Sequence, residues 1–226
     1  IPAPYWLSYA EMVRIAGGKP VIVYTKAEDN FELSRSILED AYTGKTKAVI
    51  ITTPSNPTGM VATEKCLRDI AEFAVEKDIA VISDEIYEKL IYSSDKKHVS
   101  IASFEKEIYD RTITVNGVSK SYAMTGWRIG YTASSKQIAK LMSSMQSHMT
   151  SNPNSIAQKA ALAAITGSQK CVEQMRKQFE IRRDYIYDRV SKMPYLKTIK
   201  PEGAFYLFIQ LWSPLHRSGQ CCLMKS

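Results

Sequence analysis

The chain contains no Cys-x-x-Cys pair, no apolar run long enough to cross a bilayer, no internal repeat and no low-complexity segment. Each absence removes a class of protein. The four cysteines, Cys66, Cys171, Cys221 and Cys222, have no histidine at metal-ligand spacing, and adjacent Cys221 and Cys222 could bridge each other only with strain. Free thiols in a reducing compartment are expected, rather than a disulfide scaffold or a metal site. The longest apolar stretches, such as "AVIITT" at 48–53 and "IAVIS" at 79–83, fall far short of the roughly 20 residues that a spanning helix needs. The opening "IPAPYW" lacks the basic and apolar regions of a signal peptide. No membrane partner is expected, and the setting predicted is cytoplasmic, or the plastid stroma in a plant.

Charge of one sign is not concentrated anywhere either. Lys and Arg number 30 against 23 Asp and Glu, a formal charge of +7. The densest basic stretch, "KQFEIRRDYIYDR" at 177–189, is interrupted by acids in the manner of a solvated helix face. Basic residues scattered like this predict no nucleic-acid partner. What the chain does have is apolar substance: 45% of 226 residues, enough to bury a sizeable core.

That substance is arranged as buried runs alternating with helical periodicity. The runs are "VIVYT" at 21–25, "AVIITT", "IAVIS", "TITV" at 112–115, a shorter "RIGYTA" at 128–133 and "GAFYLFIQL" at 203–211. They are apolar on both faces, as strands of a covered sheet are. Between them, Ser34 to Tyr42 reads as helix, as does the stretch from Thr63. There Thr63 is the candidate N-cap, and Leu67, Ile70, Ala71, Phe73 and Ala74 form one stripe. Further helices are expected at about 135–148, 154–166 and 169–191. The fold class predicted is α/β, a mostly parallel sheet with helices on both faces. A change of texture near residue 190 divides a large domain at 1–190 from the start of a smaller α+β domain at 191–226.

The chemistry sits where strands end. "TTPSNPTG" at 52–59 follows one buried strand and carries Asn56; "SDEIY" at 83–87 ends the next and carries Asp84 and Tyr87; "NGVSKSYAMTGWRIGY" at 116–131 follows the third and carries Ser119, Lys120 and Arg128. Taken singly, each has a plain structural reading. The first is a turn, the second an N-capping Asp with a packed Tyr, and Ser119 a turn serine. Together they supply an amine for a carbonyl cofactor, a carboxylate for a ring nitrogen, a phenol and an amide for a ring oxygen, and a cation for a phosphate. Those are the requirements of pyridoxal 5'-phosphate chemistry. Trp6, in "PAPYW", reads by itself as an aromatic that packs a loop. His98 and His148 fall in a loop and near a helix end, with nothing to position either as acid or base.

"PYW", "SNPTG", "SDEIYEKLIY" and "VNGVSKSYAMTGWRIGY" resemble the fold-type I pyridoxal phosphate enzymes, specifically class I aminotransferases of the bacterial and plastid aspartate or prephenate type. The resemblance runs from about residue 1 to 211. It implies Lys120 as the Schiff-base lysine, Asp84 at the pyridine nitrogen, and Tyr87 and Asn56 at the phenolic oxygen. Asn56 would also touch the substrate carboxylate, Arg128 would hold the phosphate and Trp6 would stack on the ring; Ser119 is a further candidate for the phosphate. Gly117 stands where some relatives place another phosphate-binding serine. The implied substrates are an amino acid and a 2-oxo acid, and the implied assembly a homodimer of a full-length parent. The same residues would serve a carbon–sulfur β-lyase, or survive in a non-catalytic fragment. The resemblance also implies a glycine-rich phosphate loop and a carboxylate-binding arginine that this sequence does not contain, so the chain by itself is expected to be incomplete and inactive. The stretch 212–226 departs from the family pattern, and its Arg217 is not assigned the carboxylate.

Overall fold

The computed structural model describes residues 1–92 and 96–211. In chain order its strands and α-helices are β1 (Pro2–Ala3), α1 (Ser8–Ile15), β2 (Val23–Tyr24), α2 (Arg35–Ala41), β3 (Ala48–Thr52), α3 (Glu64–Glu76), β4 (Ala80–Asp84), α4 (Lys106–Arg111), β5 (Thr112–Gly117), β6 (Gly130–Ala133), α5 (Lys136–Met149), α6 (Ser155–Thr166), α7 (Lys170–Val190), β7 (Leu196–Thr198) and β8 (Ile209–Leu211). The expected atypical tail, with Arg217, Cys221 and Cys222, lies outside the described residues. No helix among the described residues is long and apolar enough to cross a membrane.

The central sheet has the order β3-β4-β5-β6. β3, β4 and β5 run parallel, with Thr52 opposite Asp84 and Asp84 opposite Val115. β6 is antiparallel to β5, pairing Gly130 with Gly117. The reversal has a local cause. Segment 118–129 holds only a 3-10 turn at Thr125–Trp127, and without a crossover helix the chain cannot return to the other end of the sheet.

α3 forms as its pattern predicts. The Thr63 hydroxyl accepts from the Cys66 N–H at 3.2 Å, capping the first turn. The stripe Leu67, Ile70, Ala71, Phe73 and Ala74 is buried, and it packs with Val49 and Ile51 of β3, Val81 of β4, Ile101 and Ile108. Fully burying each large apolar side chain contributes about 1.5–3 kcal/mol, so one helix fixes two strands of the sheet. Because side chains alternate along a strand, Thr52, one residue past Ile51, and Asp84, three past Val81, face the opposite side. There they meet Tyr9 of α1.

Two expected strands are shorter than their apolar runs. Of 21–25 only Val23 and Tyr24 pair, with Pro2 and Ala3, in a two-stranded sheet apart from the main one. Of 203–211 only Ile209–Leu211 is strand, paired with β7. The first part of that run turns instead, with Ala204 at φ 55, because its backbone is claimed by two other loops. The Gly59 carbonyl accepts from the N–H groups of Glu202 (2.9 Å) and Gly203 (2.8 Å), and Ala204 N–H donates to the Leu90 carbonyl at 2.8 Å. Gly59 is needed for this docking. It sits at φ +71, and a Cβ there would lie 2.6 Å from Pro201 Cβ.

Candidate functional site

The carboxyl ends of β3, β4 and β5 are neighbours, so the three loops that follow them open on one edge of the sheet, where α/β proteins bind ligands. Asp84 is the last residue of β4. Its Oδ2 accepts from the Tyr9 hydroxyl at 2.5 Å, and its Oδ1 from the Ile86 N–H at 3.1 Å. Tyr9 in turn lies 2.7 Å from the Thr52 hydroxyl. Both donors to Asp84 are neutral, and no cation pairs with it among the described residues. Burial holds its carboxyl above the usual carboxylate range, although Tyr9 and Ile86 favour the ionised form; the adjacent Glu85 charge adds to the rise.

A second cluster stands beside it. Tyr87 is buried and its hydroxyl lies 2.7 Å from that of Tyr206, which accepts from Asn56 Nδ2 at 3.2 Å. Burial, and then the Tyr206 hydroxyl, push the Tyr87 phenol well above its ordinary range; Asp84 contributes further, which ties the two clusters together. Lys120 Nζ is 6.0 Å from the Tyr87 ring centroid and 5.5 Å from that of Phe205. No carboxylate pairs with this amine among the described residues.

The remaining candidates occupy the rim. Trp6 is 42% exposed and meets the Tyr9 ring edge-to-face, 5.4 Å between centroids. Arg128 is exposed, in the left-handed region at φ 57, and donates to the Thr125 carbonyl at 3.0 Å. The Thr125 hydroxyl donates to the Ser119 carbonyl at 3.0 Å, so Ser119 and Arg128 belong to one turn. The structure thus joins Asn56 with Tyr87, and Trp6 with Asp84 through Tyr9. It sets Lys120 over the aromatic rings and keeps Arg128 and Ser119 together at the edge.

The donor set suits a phosphorylated pyridine aldehyde. An unpaired amine, a desolvated carboxylate held by neutral donors, and a phenol–amide pair are what its aldehyde, ring nitrogen and ring oxygen require. Gly117 adds nothing to the phosphate end, and the reason is steric. A Cβ there would lie 2.9 Å from the Ile129 carbonyl oxygen and 3.1 Å from Gly130 Cα. Gly117→Ser is therefore expected to lower stability by about 1–3 kcal/mol through overpacking, read as a shift of the urea midpoint. A variant as stable as its parent would mean that β5 and β6 can part without cost.

Three residues of the cluster were not singled out from sequence: Tyr9, Thr52 and Tyr206. Tyr9 stands one turn beyond Trp6 in "PYWLSY", and Tyr206 lies inside a run that reads as strand. Only the tertiary fold brings them in.

A family model described as aminotransferase class I and II matches residues 1–217. The aspartate aminotransferase of Bacillus sp. (strain YM-2) is 49% identical over 219 residues, covering 97% of this chain and 56% of that protein. The aspartate aminotransferase of Bacillus subtilis (strain 168) is 52% identical over 208 residues, covering 92% and 53%. Among solved structures, an aromatic aminotransferase from Pyrococcus horikoshii OT3 matches with a TM-score of 0.89 at 47% identity, covering 92% of this chain and 56% of that one. The Thermus thermophilus aspartate aminotransferase with maleate gives 0.88 at 41%, covering 92% and 54%. The chain spans about half the length of the curated relatives it matches.

Proposed function

Because the chain belongs to the aminotransferase class I and II family, we propose that its strand-end cluster is the cofactor-binding part of a site that moves an amino group between an L-amino acid and a 2-oxo acid. The family uses pyridoxal 5'-phosphate, whose protonated ring, when bound, draws electrons from the substrate α-carbon. The observation that carries the reading is the convergence of Asn56, Asp84 with Tyr87, and Lys120 from the ends of three adjacent parallel strands.

Each residue has a defined part in it. Lys120 Nζ would hold the cofactor aldehyde and, as a free amine, would take the proton from the substrate α-carbon. Asp84 keeps the ring nitrogen protonated; Tyr9 fixes the carboxylate through Oδ2, and the Ile86 N–H through Oδ1. Tyr87 and Asn56 serve the ring oxygen, and Tyr206 orients both. Asn56 also meets the substrate carboxylate. Arg128, with Ser119 in the same turn, would hold the phosphate. Trp6, oriented by its edge contact with Tyr9, would stack on the ring. The assembly proposed is a homodimer, and the setting cytoplasmic or plastidial.

Product analysis in the parent reading frame tests the reaction. An amino acid supplied with a 2-oxo acid should yield the exchanged pair. Ammonia and pyruvate in place of that pair would assign the scaffold to β-elimination instead.

A further inference from the structure

Asp84 is followed by a second buried acid, and nothing in the proposed reaction uses it. Glu85 is 3% exposed. Alternation along the strand turns it, with Ser83, to the face opposite Asp84. Its Oε1 accepts from the Ser83 hydroxyl at 2.9 Å and the Ser100 hydroxyl at 2.7 Å, and its Oε2 lies 2.8 Å from His98 Nε2. The peptide joining Asp84 to Glu85 is bonded to both neighbouring strands. Thr53 N–H donates to the Asp84 carbonyl at 3.1 Å, and Glu85 N–H donates to the Val115 carbonyl at 2.8 Å. The cofactor carboxylate and this buried pair therefore share one clamped strand end.

The choice of histidine needs a reason. His98 Nδ1 is buried with no hydrogen-bond partner, and an unpaired buried polar atom costs stability in either protonation state of the ring. A lysine or arginine would pair with the acid and cancel its charge. An imidazole N–H can hold a carboxylate without cancelling it. A negative charge kept directly behind Asp84 repels the Asp84 charge, in the same direction as burial.

We propose that Glu85 and His98 are a positioning pair for Asp84, anchoring its strand end from behind and holding a second carboxylate charge at its back, so that Asp84 grips the protonated ring nitrogen of the cofactor more firmly. The purpose, though not the action on Asp84, rests on the pyridoxal phosphate reading above. Other ionisable groups near the two acids do not supply the effect. Asp84 faces the phenols of Tyr9 and Tyr87. Glu85 and His98 face Glu88, whose carboxylate oxygen lies within 4.8 Å of both and which is 3.6 Å from Lys89 Nζ.

The test needs a readout that a purely structural pair would not move. Carbon-13 titration of aspartate carboxyls in the cofactor-free chain provides it, with the Asp84 signal identified by its loss in Asp84→Asn. Glu85→Gln is expected to bring the Asp84 midpoint down toward the ordinary carboxylate value. His98→Leu, which removes the group that holds Glu85 Oε2 in place, should do the same, whereas His98→Gln restores an N–H donor and should leave the midpoint near its starting value. Should Glu85→Gln fail to fold, the contrast between the two His98 variants decides alone. Pyridoxal phosphate affinity, read by equilibrium dialysis with Lys120→Ala as control, should weaken on the order of tenfold in Glu85→Gln. An Asp84 midpoint unmoved in the folded variants overturns the pair. A midpoint that moves in a chain whose Lys120 takes no pyridoxal phosphate upholds the action on Asp84 and overturns the cofactor reading that gives it a purpose.

Discussion

Lys120→Ala should abolish covalent attachment of pyridoxal phosphate to the chain, and in the parent reading frame should lower turnover on the order of 10⁴- to 10⁶-fold, the scale seen when a covalent nucleophile is removed. The expectation rests on setting rather than on residue type. Lys120 follows β5, its amine lies over two aromatic rings at 5.5 and 6.0 Å, and no carboxylate among the described residues occupies it. Several other lysines are engaged. Lys65 pairs with Asp69, Lys77 with Glu76, Lys96 with Glu202 and Lys106 with Asp110. An exogenous amine should restore part of the lost proton transfer, because the vacated position is still framed by Tyr87 and Phe205. Reducible label persisting in Lys120→Ala at the parent level would move the role elsewhere.

Asp84→Asn should act in opposite directions on activity and on stability. In the parent reading frame it removes the charge that keeps the ring nitrogen protonated, and a loss of roughly 10²- to 10⁴-fold in turnover is expected. In the cofactor-free chain it removes a desolvated carboxylate that no cation balances. The folded-state pKa of Asp84 lies above the unfolded value, with burial the main cause. The folded chain thus binds this proton more tightly than the unfolded chain. The stability it contributes is complete below the unfolded value, about 3.9, and is lost as pH rises through the folded value. The Asn variant, which does not titrate, should therefore gain on the wild type across that window and be the more stable at neutral pH. An Asn side chain can keep the local bonds, donating to Tyr9 while Tyr9 donates to Thr52. Urea midpoints of both chains from pH 3 to pH 8 check the sign. Wild type gaining on the variant as pH rises would mean that a cation faces Asp84 in the folded chain.

Much of this site is readable from sequence because its parts are local. Asp84 directly follows a β-branched run and Asn56 and Lys120 stand a few residues beyond one, and such runs announce buried parallel strands without reference to the rest of the chain. Helices α3, α5, α6 and α7 are legible for the same reason: their helical periodicity lies within one segment, and their bounds differ from expectation by a residue or two. Tyr206 is not legible. It reaches Asn56 from 150 positions away, and its own neighbourhood reads as strand because Phe205, Leu207 and Phe208 are apolar. What overrides that pattern is a backbone contract with Gly59 and Leu90, which no period in the sequence encodes. Tyr9 is hidden differently, since an aromatic one helical turn past Trp6 reads as packing until Asp84 is placed beside it. His98 shows the limit of reasoning from flanks. Its loop gives it no role, and only the fold pairs it with Glu85.

The most direct test of the account is where pyridoxal phosphate attaches. The chain is incubated with the cofactor, reduced with borohydride, digested and mapped by mass spectrometry. The account predicts a pyridoxyl group on Lys120 and its disappearance in Lys120→Ala. Label recovered on Lys89, Lys136 or another lysine, with Lys120 unmodified, would contradict it.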